Sequence, residues 1–358
     1  MDISTLVLFM IGLVLLIVGA EALVRGASRL AIGMGISPLV VGLTVVAFGT
    51  SSPELAVSVS TALAGQSDLA VGNVVGSNIF NVLFILGVSA IIVPLLVNSQ
   101  IIRLDVPIMI GVSIIAMVFS LDGVITRLEG LGLFLGIIAY TVFLIRLSRR
   151  EQKDEKTDHT PDASAKNAKT ILLNIGFIVI GLTLLVIGSR WLVDGAVALA
   201  KAMGVDDLVI GLTIVAAGTS LPEVATSILA AIRKERDIAV GNVVGSNIFN
   251  ILGVLGLSSM VSPVGLTVSN AINTFDNPVM LAVAVACLPI FLSGREIARW
   301  EGFVFIGYYI AYTAYLILNA SNHASLPSFS STMLSFVLPI TVLTLLVVIV
   351  KEFNPKKQ

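Results

Sequence analysis

Long apolar stretches separated by short polar turns run through almost the whole chain. Eleven of these stretches are long enough to cross the roughly 30 Å hydrocarbon core of a bilayer as helices. Their ranges are 4–25, 37–64, 70–96, 104–121, 125–147, 170–198, 206–232, 239–262, 278–293, 301–319 and 332–350. The one long polar stretch, residues 148–169, is rich in charged side chains and predicts a linker. The pattern therefore predicts an all-α polytopic membrane protein.

The composition of the chain agrees with this pattern. Of its 358 residues, 56% are hydrophobic and 12% are charged, which excludes an ordinary soluble domain. The single cysteine, Cys287, excludes an intramolecular disulfide framework. We expect the lipid bilayer as the surrounding partner, no nucleic acid, no cofactor and no enzyme activity. The oligomeric state is left open, since a monomer is sufficient for the function predicted below.

One segment of the chain occurs twice. GLTVVAFGTSSPELAVS, starting at Gly42, reappears as GLTIVAAGTSLPEVATS from Gly211, and the string AVGNVVGSNIFN follows each copy. Matched residues lie 169 positions apart, so Glu54 corresponds to Glu223. Five predicted helices separate the copies, and because five is odd, the second copy enters the membrane from the opposite side. The sequence thus predicts two five-helix halves of inverted topology.

The repeat also sets the predicted domains. They are a first half at 1–147, a cytoplasmic linker at 148–169, a second half at 170–320, and an additional transmembrane helix at 331–350 that has no counterpart. Lys and Arg are far more numerous on the linker side of the spans than on the other side. The positive-inside rule therefore places the N-terminus outside and the linker and C-terminus in the cytoplasm. We expect a multi-pass protein of the cytoplasmic membrane.

A Gly-Thr-Ser-x-Pro-Glu element lies in the middle of the second span and of the seventh span. Pro53 and Pro222 have no backbone N–H, so the carbonyls of Gly49 and Gly218 lose their usual helical partners. A broken helix at membrane depth needs other groups to satisfy its backbone, and a bound cation can do so. The element therefore predicts a helix break at a cation site.

Glu54 and Glu223, at the ends of these elements, have no charged residue close by in the sequence. A charged side chain in a bilayer costs roughly 2.5 kcal/mol or more, so a bound cation is the natural counter-charge. The alternative is a protonated glutamate bonded to a neighbouring helix. Two symmetric copies beside two broken helices favour the cation.

The second motif adds neutral oxygen atoms. Ser77 and Asn81 lie four residues apart on one helix face, whereas Asn78 points elsewhere and is expected to bond across a helix interface. Together the two copies supply the carboxylates of Glu54 and Glu223, the hydroxyls of Thr50, Ser51, Thr219, Ser220, Ser77 and Ser246, and the amide oxygens of Asn81 and Asn250. Calcium and sodium use such oxygen ligands, whereas soft transition metals prefer sulfur and imidazole.

The duplicated motifs GTSSPE, GTSLPE and GNVVGSNIFN resemble the two alpha-repeats of the calcium/cation antiporter superfamily, specifically those of a prokaryotic sodium/calcium exchanger. The resemblance covers residues 1–320. It implies that Glu54 and Glu223 are the central calcium ligands and are shared with sodium. It also implies the further ligands, which are the backbone carbonyls of Ala47, Thr50, Ala216 and Thr219, the hydroxyls of Ser51, Ser77, Ser220 and Ser246, and Asn81 and Asn250 at the centre.

The same resemblance implies a mechanism. The first helix of each half would slide across a rigid core of eight helices, exchanging three sodium ions for one calcium ion by alternating access. Asn250 stands where potassium-dependent relatives have aspartate, which implies independence of potassium. Gly76 and Gly245 stand where proton/calcium exchangers typically carry glutamate, which favours sodium. A proton/calcium exchanger is the alternative, followed by a cation channel or a calcium-binding membrane scaffold.

Overall fold

The computed structural model describes residues 3–34, 36–155, 168–205 and 207–353. Nine helices in this part of the chain are long and apolar enough to cross a membrane. A tenth span is a bent pair, Pro38–Thr50 and Ser52–Leu63, whose axes differ by 46°. The shorter apolar helix Leu221–Ile232 belongs to the equivalent span of the second half. The prediction of an all-α polytopic membrane protein is confirmed.

The first half contains five spans. Its helices are α1 (Ile3–Met34), α2 (Pro38–Thr50), α3 (Ser52–Leu63), α4 (Ser67–Ile92), α5 (Ile101–Ser120) and α6 (Arg127–Glu155). Helix α6 extends beyond Ser148, where the linker was predicted to begin, so the first part of the predicted linker is helical. Residues 156–167 of that segment lie outside the described ranges.

The second half repeats this order and is followed by one more helix. Its helices are α7 (Ala168–Ala202), α8 (207–218, with a π-helical turn at Gly211–Val215), α9 (Leu221–Ile232), α10 (Arg236–Val261), α11 (Ile272–Leu292), α12 (Arg299–Ala320) and the additional α13 (326–353). Each of the eleven predicted spans therefore corresponds to one helix or one broken pair.

Two short antiparallel sheets join the halves. Strand β1 (Leu95–Leu96) pairs with β4 (Glu296–Ile297), and β2 (Val124–Ile125) pairs with β3 (Leu266–Thr267). Strands β1 and β2 lie at opposite ends of the spanning helix α5, so the sheets lie at opposite faces of the molecule. The repeat interchanges the sheets, because β1 corresponds to β3 and β2 to β4. The inverted arrangement of the halves places these loops side by side.

Helices α4 and α10, which carry the second motif, form the centre of the molecule. In α10, all residues of an 18-residue apolar stretch are buried, and in α4 the buried share of such a stretch is 72%. In α12 only 6% of the corresponding stretch is buried. Small residues let neighbouring backbones approach: a Cβ on Gly245 of α10 would lie 2.6 Å from the carbonyl oxygen of Leu43 in α2. The backbones of α2 and α10 are thus packed in close contact beside the second motif.

Helices α1 and α7, the first of each half, pack along each other. Glycines face the opposite backbone along this interface: a Cβ on Gly12 would lie 2.8 Å from the oxygen of Gly188, and one on Gly19 would lie 2.9 Å from that of Gly181. Since the two backbones touch without side chains between them, we treat α1 and α7 as one paired unit.

Helix α13 lies at the periphery, against α11. Four residues spaced one turn apart are partly buried, namely Met333, Val337, Thr341 and Leu345. The hydroxyl of Thr341 hydrogen-bonds to that of Tyr308 in α12. Most of the remaining surface of α13 is exposed and apolar, as expected for an added helix that faces lipid.

Candidate cation-binding site

Each Gly-Thr-Ser-x-Pro-Glu element interrupts its helix at the serine. Ser51 has φ −82° and ψ 8°, and Ser220 has φ −88° and ψ 7°, so both residues leave the helical conformation. Pro53 and Pro222 fall in the first turn of α3 and α9, where the missing N–H has no helical partner to lose. The chain therefore breaks and restarts beside the predicted site in both halves.

The glycines beside the breaks serve a packing purpose as well. A Cβ on Gly49 would lie 2.7 Å from the side chain of Leu182, and one on Gly218 would lie 2.8 Å from that of Val193. Leu182 and Val193 both belong to α7. The paired unit therefore packs directly against both helix breaks.

The two glutamates are brought together by crossed hydrogen bonds. Ser220 Oγ donates to Glu54 Oε1 at 2.7 Å, and Ser51 Oγ donates to Glu223 Oε1 at 2.8 Å. Both glutamates are only 1% exposed. Ser77 of α4 joins the cluster, with its Oγ 3.3 Å from Ser220 Oγ. Because the serine of one half donates to the acid of the other, the two copies form one side-chain cluster rather than two.

Several buried oxygens on these helices have no hydrogen-bond partner among the described residues. Those that belong to predicted ligand residues are Oε2 of Glu54, Oε2 of Glu223, Oδ1 of Asn81, Oδ1 of Asn250 and Oγ of Ser246. The hydroxyl oxygens of Ser89, Thr226 and Ser258, on the same helices, are unpaired as well. Buried polar atoms in folded proteins are nearly always paired, so several unpaired oxygens on the same set of helices call for a common partner. A hard cation is such a partner, since it takes oxygen ligands only.

The donor atoms of the cluster are also not those that soft metals prefer. Within the described ranges, no group of three or more His, Cys, Asp or Glu side chains is placed to hold a metal ion. The cluster instead combines two carboxylates with hydroxyl and amide oxygens. That set fits calcium and sodium, as the sequence predicts.

The threonine hydroxyls have partners of their own. Thr50 Oγ1 donates to Asn242 Oδ1 at 3.1 Å, and Thr219 Oγ1 donates to Asn73 Oδ1 at 3.5 Å. These bonds hold the last residue before each break in place. A hydroxyl that donates its hydrogen keeps its lone pairs, so both the hydroxyls and the backbone carbonyls of the threonines are candidate ligand atoms.

Ala47 and Ala216 lie in the last helical turn before each break. The carbonyl oxygen of Ala47 accepts the N–H of Ser51 at 3.0 Å. A carbonyl oxygen has a second lone pair, so this bond does not prevent it from binding a cation.

The asparagines of the second motif do more than the sequence predicts. Asn73 Nδ2 donates to the carbonyl oxygen of Glu54 at 3.2 Å and to Ser58 Oγ at 2.9 Å, and so supports the first turn of α3. Asn242 donates to Ser227 Oγ at 3.0 Å in the same way. The position of Asn73 could have indicated this role, because Asn73 lies one turn before Ser77 on the same helix face.

A second set of polar contacts ties α1 to the turn between α9 and α10. Glu21 pairs with Arg25 of its own helix and with Arg233, whose Nη2 lies 2.8 Å from Glu21 Oε1. Ser28 Oγ donates to Glu235 Oε1 at 3.0 Å. We call Glu21, Arg233, Ser28 and Glu235 the α1 latch.

Comparison with known proteins agrees with this geometry. The family model described as sodium/calcium exchanger protein matches residues 4–146 and 173–318. The putative antiporter CaxA of Alkalimonas amylolytica is 38% identical over 318 residues, covering 88% of this chain and 98% of that protein. The sodium/calcium exchanger MaX1 of Methanosarcina acetivorans is 34% identical over 350 residues, covering 87% and 97%.

Solved structures give the same result. The sodium-calcium exchanger NCX_Mj, soaked with 10 mM Na+ and zero Ca2+, superposes with a TM-score of 0.75 at 32% identity. The match covers 88% of this chain and 99% of that one. Both repeats are included in the family match, since each of its two segments contains one copy of the motifs. The chain therefore belongs to the sodium/calcium exchanger protein family.

Proposed function

We propose that this protein exchanges sodium for calcium across the cytoplasmic membrane by alternating access. The crossed bonds from Ser51 to Glu223 and from Ser220 to Glu54 carry the proposal, because they leave one oxygen of each acid unpaired in a buried site. Two carboxylates balance the charge of one calcium ion. The name of the relative MaX1, a sodium/calcium exchanger, supports the same pair of ions.

The proposed ligands follow from the same cluster. They are the carboxylates of Glu54 and Glu223, the side chains of Ser51, Ser77, Ser220, Ser246, Asn81 and Asn250, and the backbone carbonyls of Ala47, Thr50, Ala216 and Thr219. A serine that donates its hydrogen to a carboxylate still has lone pairs for a cation. Calcium takes about six to eight oxygens, so this set is large enough for one calcium ion or for several sodium ions in turn.

The exchange is proposed to be electrogenic, with three sodium ions for each calcium ion. Calcium leaves the two carboxylates neutral overall, whereas three sodium ions leave a charge of +1. An elementary charge gains about 2.3 kcal/mol per 100 mV of membrane potential, so an inside-negative potential drives sodium inward and calcium outward. Asn250 adds no further negative charge, and we therefore propose that potassium is not required.

Alternating access is proposed to use the symmetry of the fold. Inverted halves give two end states of similar structure, one open to each side. Helices α1 and α7 would move together across the rigid centre. Bare carboxylates are expensive to bury, so the movement is expected only when calcium or sodium neutralises them.

The proposed topology divides the chain at the linker. The halves are 1–147 and 170–320, with a cytoplasmic linker at 148–169 and the additional helix at 331–350 also crossing the bilayer. The N-terminus would lie outside and the C-terminus inside. One chain contains every proposed ligand, so a monomer is sufficient.

Calcium uptake into proteoliposomes loaded with sodium tests the proposal. We expect uptake by the unmodified protein to follow the outward sodium gradient, and Glu54→Gln or Glu223→Gln to abolish it. Glu129→Gln is the matched control, because Glu129 is a half-buried acid whose described hydrogen bonds come from Thr126 at the start of α6. Undiminished uptake in either site variant would reject the site.

The counter-ion is tested in the same vesicles. Replacing the sodium gradient with a pH gradient should stop uptake. Uptake that follows the pH gradient instead would favour the proton/calcium alternative, and calcium flux that ignores both gradients would favour a channel.

A further inference from the structure

Two asparagines that lie behind the site, Asn78 and Asn247, form crossed bonds between the halves. We infer that they are positioning residues: each fixes the side-chain amide of Asn250 or Asn81 so that its oxygen, and not its NH2 group, faces the cation. The inference rests on the proposed function, since it concerns how the same site selects its ligand atoms.

Two backbone carbonyls fix the orientation of the Asn78 and Asn247 side chains. Asn78 Nδ2 donates to the carbonyl oxygen of Asn247 at 3.2 Å, and Asn247 Nδ2 donates to that of Asn78 at 3.3 Å. A carbonyl oxygen can only accept, so it fixes which end of each side-chain amide faces it. The sulfur atoms of Met280 and Met109 lie 3.7 and 3.6 Å from the same nitrogens and are also acceptors. Rotation of either amide would place oxygen against oxygen and sulfur.

The fixed amides then orient the next pair. Since the Nδ2 groups of Asn78 and Asn247 donate to these backbone carbonyls, their Oδ1 atoms face the opposite way. Asn78 Oδ1 accepts from Asn250 Nδ2 at 3.1 Å, and Asn247 Oδ1 accepts from Asn81 Nδ2 at 3.0 Å. The Oδ1 atoms of Asn81 and Asn250 are left buried and unpaired among the described residues. These are the two amide oxygens proposed as cation ligands.

Two consequences distinguish this arrangement from ordinary packing. First, the amide of each half is oriented by an asparagine of the other half, so the ligand set is complete only when α4 and α10 are packed together. Second, an ionised carboxylate at position 81 or 250 would face the acceptor oxygen of Asn247 or Asn78. The positioning pair therefore selects a neutral amide at these positions and keeps the charge of the site at that of its two glutamates.

A double-mutant cycle on the purified full-length protein tests the inference, with calcium and sodium binding measured by titration calorimetry. Asn247→Leu removes the acceptor at similar volume, and we expect calcium affinity to fall by roughly tenfold or more, as for other groups that orient metal ligands. If Asn247 acts only through Asn81, adding Asn247→Leu to Asn81→Leu should produce no further loss. Non-additivity of this kind is the sign of direct coupling.

Two controls accompany the cycle. Asn247→Leu combined with Asn250→Leu should give additive losses, because Asn247 orients Asn81 and not Asn250. Ser113→Ala removes a buried hydroxyl of α5 that donates to the carbonyl oxygen of Met109 in its own helix and leaves the chain of amides intact, so affinity should stay close to that of the unmodified protein. The mirror cycle of Asn78→Leu with Asn250→Leu repeats the test if one variant does not fold.

The outcomes separate the inference from the proposed function. Additive losses in the Asn247 and Asn81 cycle, or unchanged affinity in Asn247→Leu, would overturn the inference even if sodium drives calcium uptake in vesicles. If calcium binds and the cycle is non-additive as expected, but sodium drives no calcium uptake, the proposed function is overturned and the inference stays in place. Absence of binding of either ion to the unmodified protein would overturn both.

Discussion

Each glutamate of the proposed site uses one carboxylate oxygen to accept from a serine and leaves the other free for the proposed cation. Glu54 and Glu223 each use Oε1 to accept a hydrogen bond and keep Oε2 unpaired. The serine therefore holds the carboxylate at a fixed angle before the ion arrives. Such preorganisation reduces the ordering that ion binding would otherwise require.

Removing these hydroxyls should weaken ion binding without removing charge. We expect Ser51→Ala and Ser220→Ala each to lower calcium affinity by roughly tenfold, in the range known for residues that orient metal ligands. Titration of the purified protein with calcium measures the change. Ser113→Ala is the control, because Ser113 is equally buried but donates only to the carbonyl oxygen of Met109 in its own helix, at 2.8 Å. Equal affinities in the site variants and the control would contradict the assignment.

Adding a side chain at a glycine of the second motif should disturb the packing of the helices. A Cβ on Gly245 would lie 2.6 Å from the Leu43 oxygen, and that backbone cannot move aside cheaply. We expect Gly245→Ala to lower the melting temperature and the yield of folded protein. At Gly132 of α6, a Cβ meets no described atom within 4 Å, so Gly132→Ala should leave the melting temperature unchanged or raise it. If Gly245→Ala and Gly132→Ala have the same melting temperature, the α2 and α10 backbones are not in this contact.

The candidate residues of the site could be proposed from the sequence, but the hydrogen bonds that pair them could not. An isolated acid in an apolar run identifies Glu54 and Glu223, because burying its charge demands a counter-charge. The crossing of the serines could not be read from the chain, since it joins residues 166 and 172 positions apart. The roles of Asn73 and Asn242 were missed because their partners are set by how α4 packs on α3 and how α10 packs on α2 and α9.

At the scale of elements, the paired helices α1 and α7 are expected to carry the movement of the exchanger. Their glycines bring backbone against backbone, and a side chain there would force the helices apart. The proposed ligands lie on other helices. Transport and ion binding should therefore respond differently to changes in this interface.

Gly19→Val tests this separation. A Cβ at Gly19 would lie 2.9 Å from both the oxygen of Gly181 and the nitrogen of Leu185, so valine should disrupt the pair. We expect sodium-driven calcium uptake to fall severalfold or more while calcium affinity in detergent is retained. Gly176→Val on α7 is the control, because a Cβ there meets no described atom within 4 Å. Loss of affinity together with uptake would instead indicate general unfolding.

The α1 latch fastens the paired helices at one face of the molecule. Arg233 contacts both carboxylate oxygens of Glu21, with Nε 3.0 Å from Oε2 and Nη2 2.8 Å from Oε1. The equivalent turn of the first half, residues 64–67, reads Ala-Gly-Gln-Ser and offers no charge. The latch should therefore favour one of the two end states over the other.

Neutralising the latch should shift this balance modestly. Exposed ion pairs contribute about 0.2–1 kcal/mol, so we expect Arg233→Gln to change the ratio of the end states by no more than about fivefold. Faster hydrogen–deuterium exchange in the second half of α1 is the expected readout. Lys234→Asn is the control, since Lys234 has a φ of 65° that asparagine tolerates, and it is not part of the latch. Equal hydrogen–deuterium exchange of α1 in Arg233→Gln and Lys234→Asn would contradict the claim that the α1 latch favours one end state.

Helix positions followed from hydropathy, and helix ends did not. Apolar length predicts where a segment lies in lipid. Helix α6 nevertheless continues to Glu155, because charged residues such as Arg149 can extend a helix into water. The first part of the predicted linker is therefore helical. The breaks at Ser51 and Ser220 were placed more closely, since proline and glycine act on the backbone directly.

For the whole molecule, the repeat explains both the inverted halves and the single site at their meeting point. Helix α13 stands outside this symmetry and touches the rest mainly through its partly buried stripe. No proposed ligand belongs to it. Its presence could be predicted from apolar length, but its contact with Tyr308 could not, because the repeat provides no counterpart.

Removal of α13 should therefore leave exchange intact. We expect a chain ending at Ala320 to retain sodium-driven calcium uptake per folded molecule, with some loss of thermal stability because the α11 face becomes exposed. Uptake and the melting temperature in detergent measure the two effects. Abolished uptake in a folded, monodisperse truncated protein would show that α13 takes part in transport.

The number of calcium ions bound per chain tests the central claim most directly, because a site shared by both halves holds one ion and two independent sites hold two. Calcium titration of the purified protein, compared with Glu54→Gln and Glu223→Gln, measures it. We expect one calcium ion per chain and loss of that binding in either variant. Two calcium ions per chain, or one ion still bound with unchanged affinity in a single variant, would contradict it.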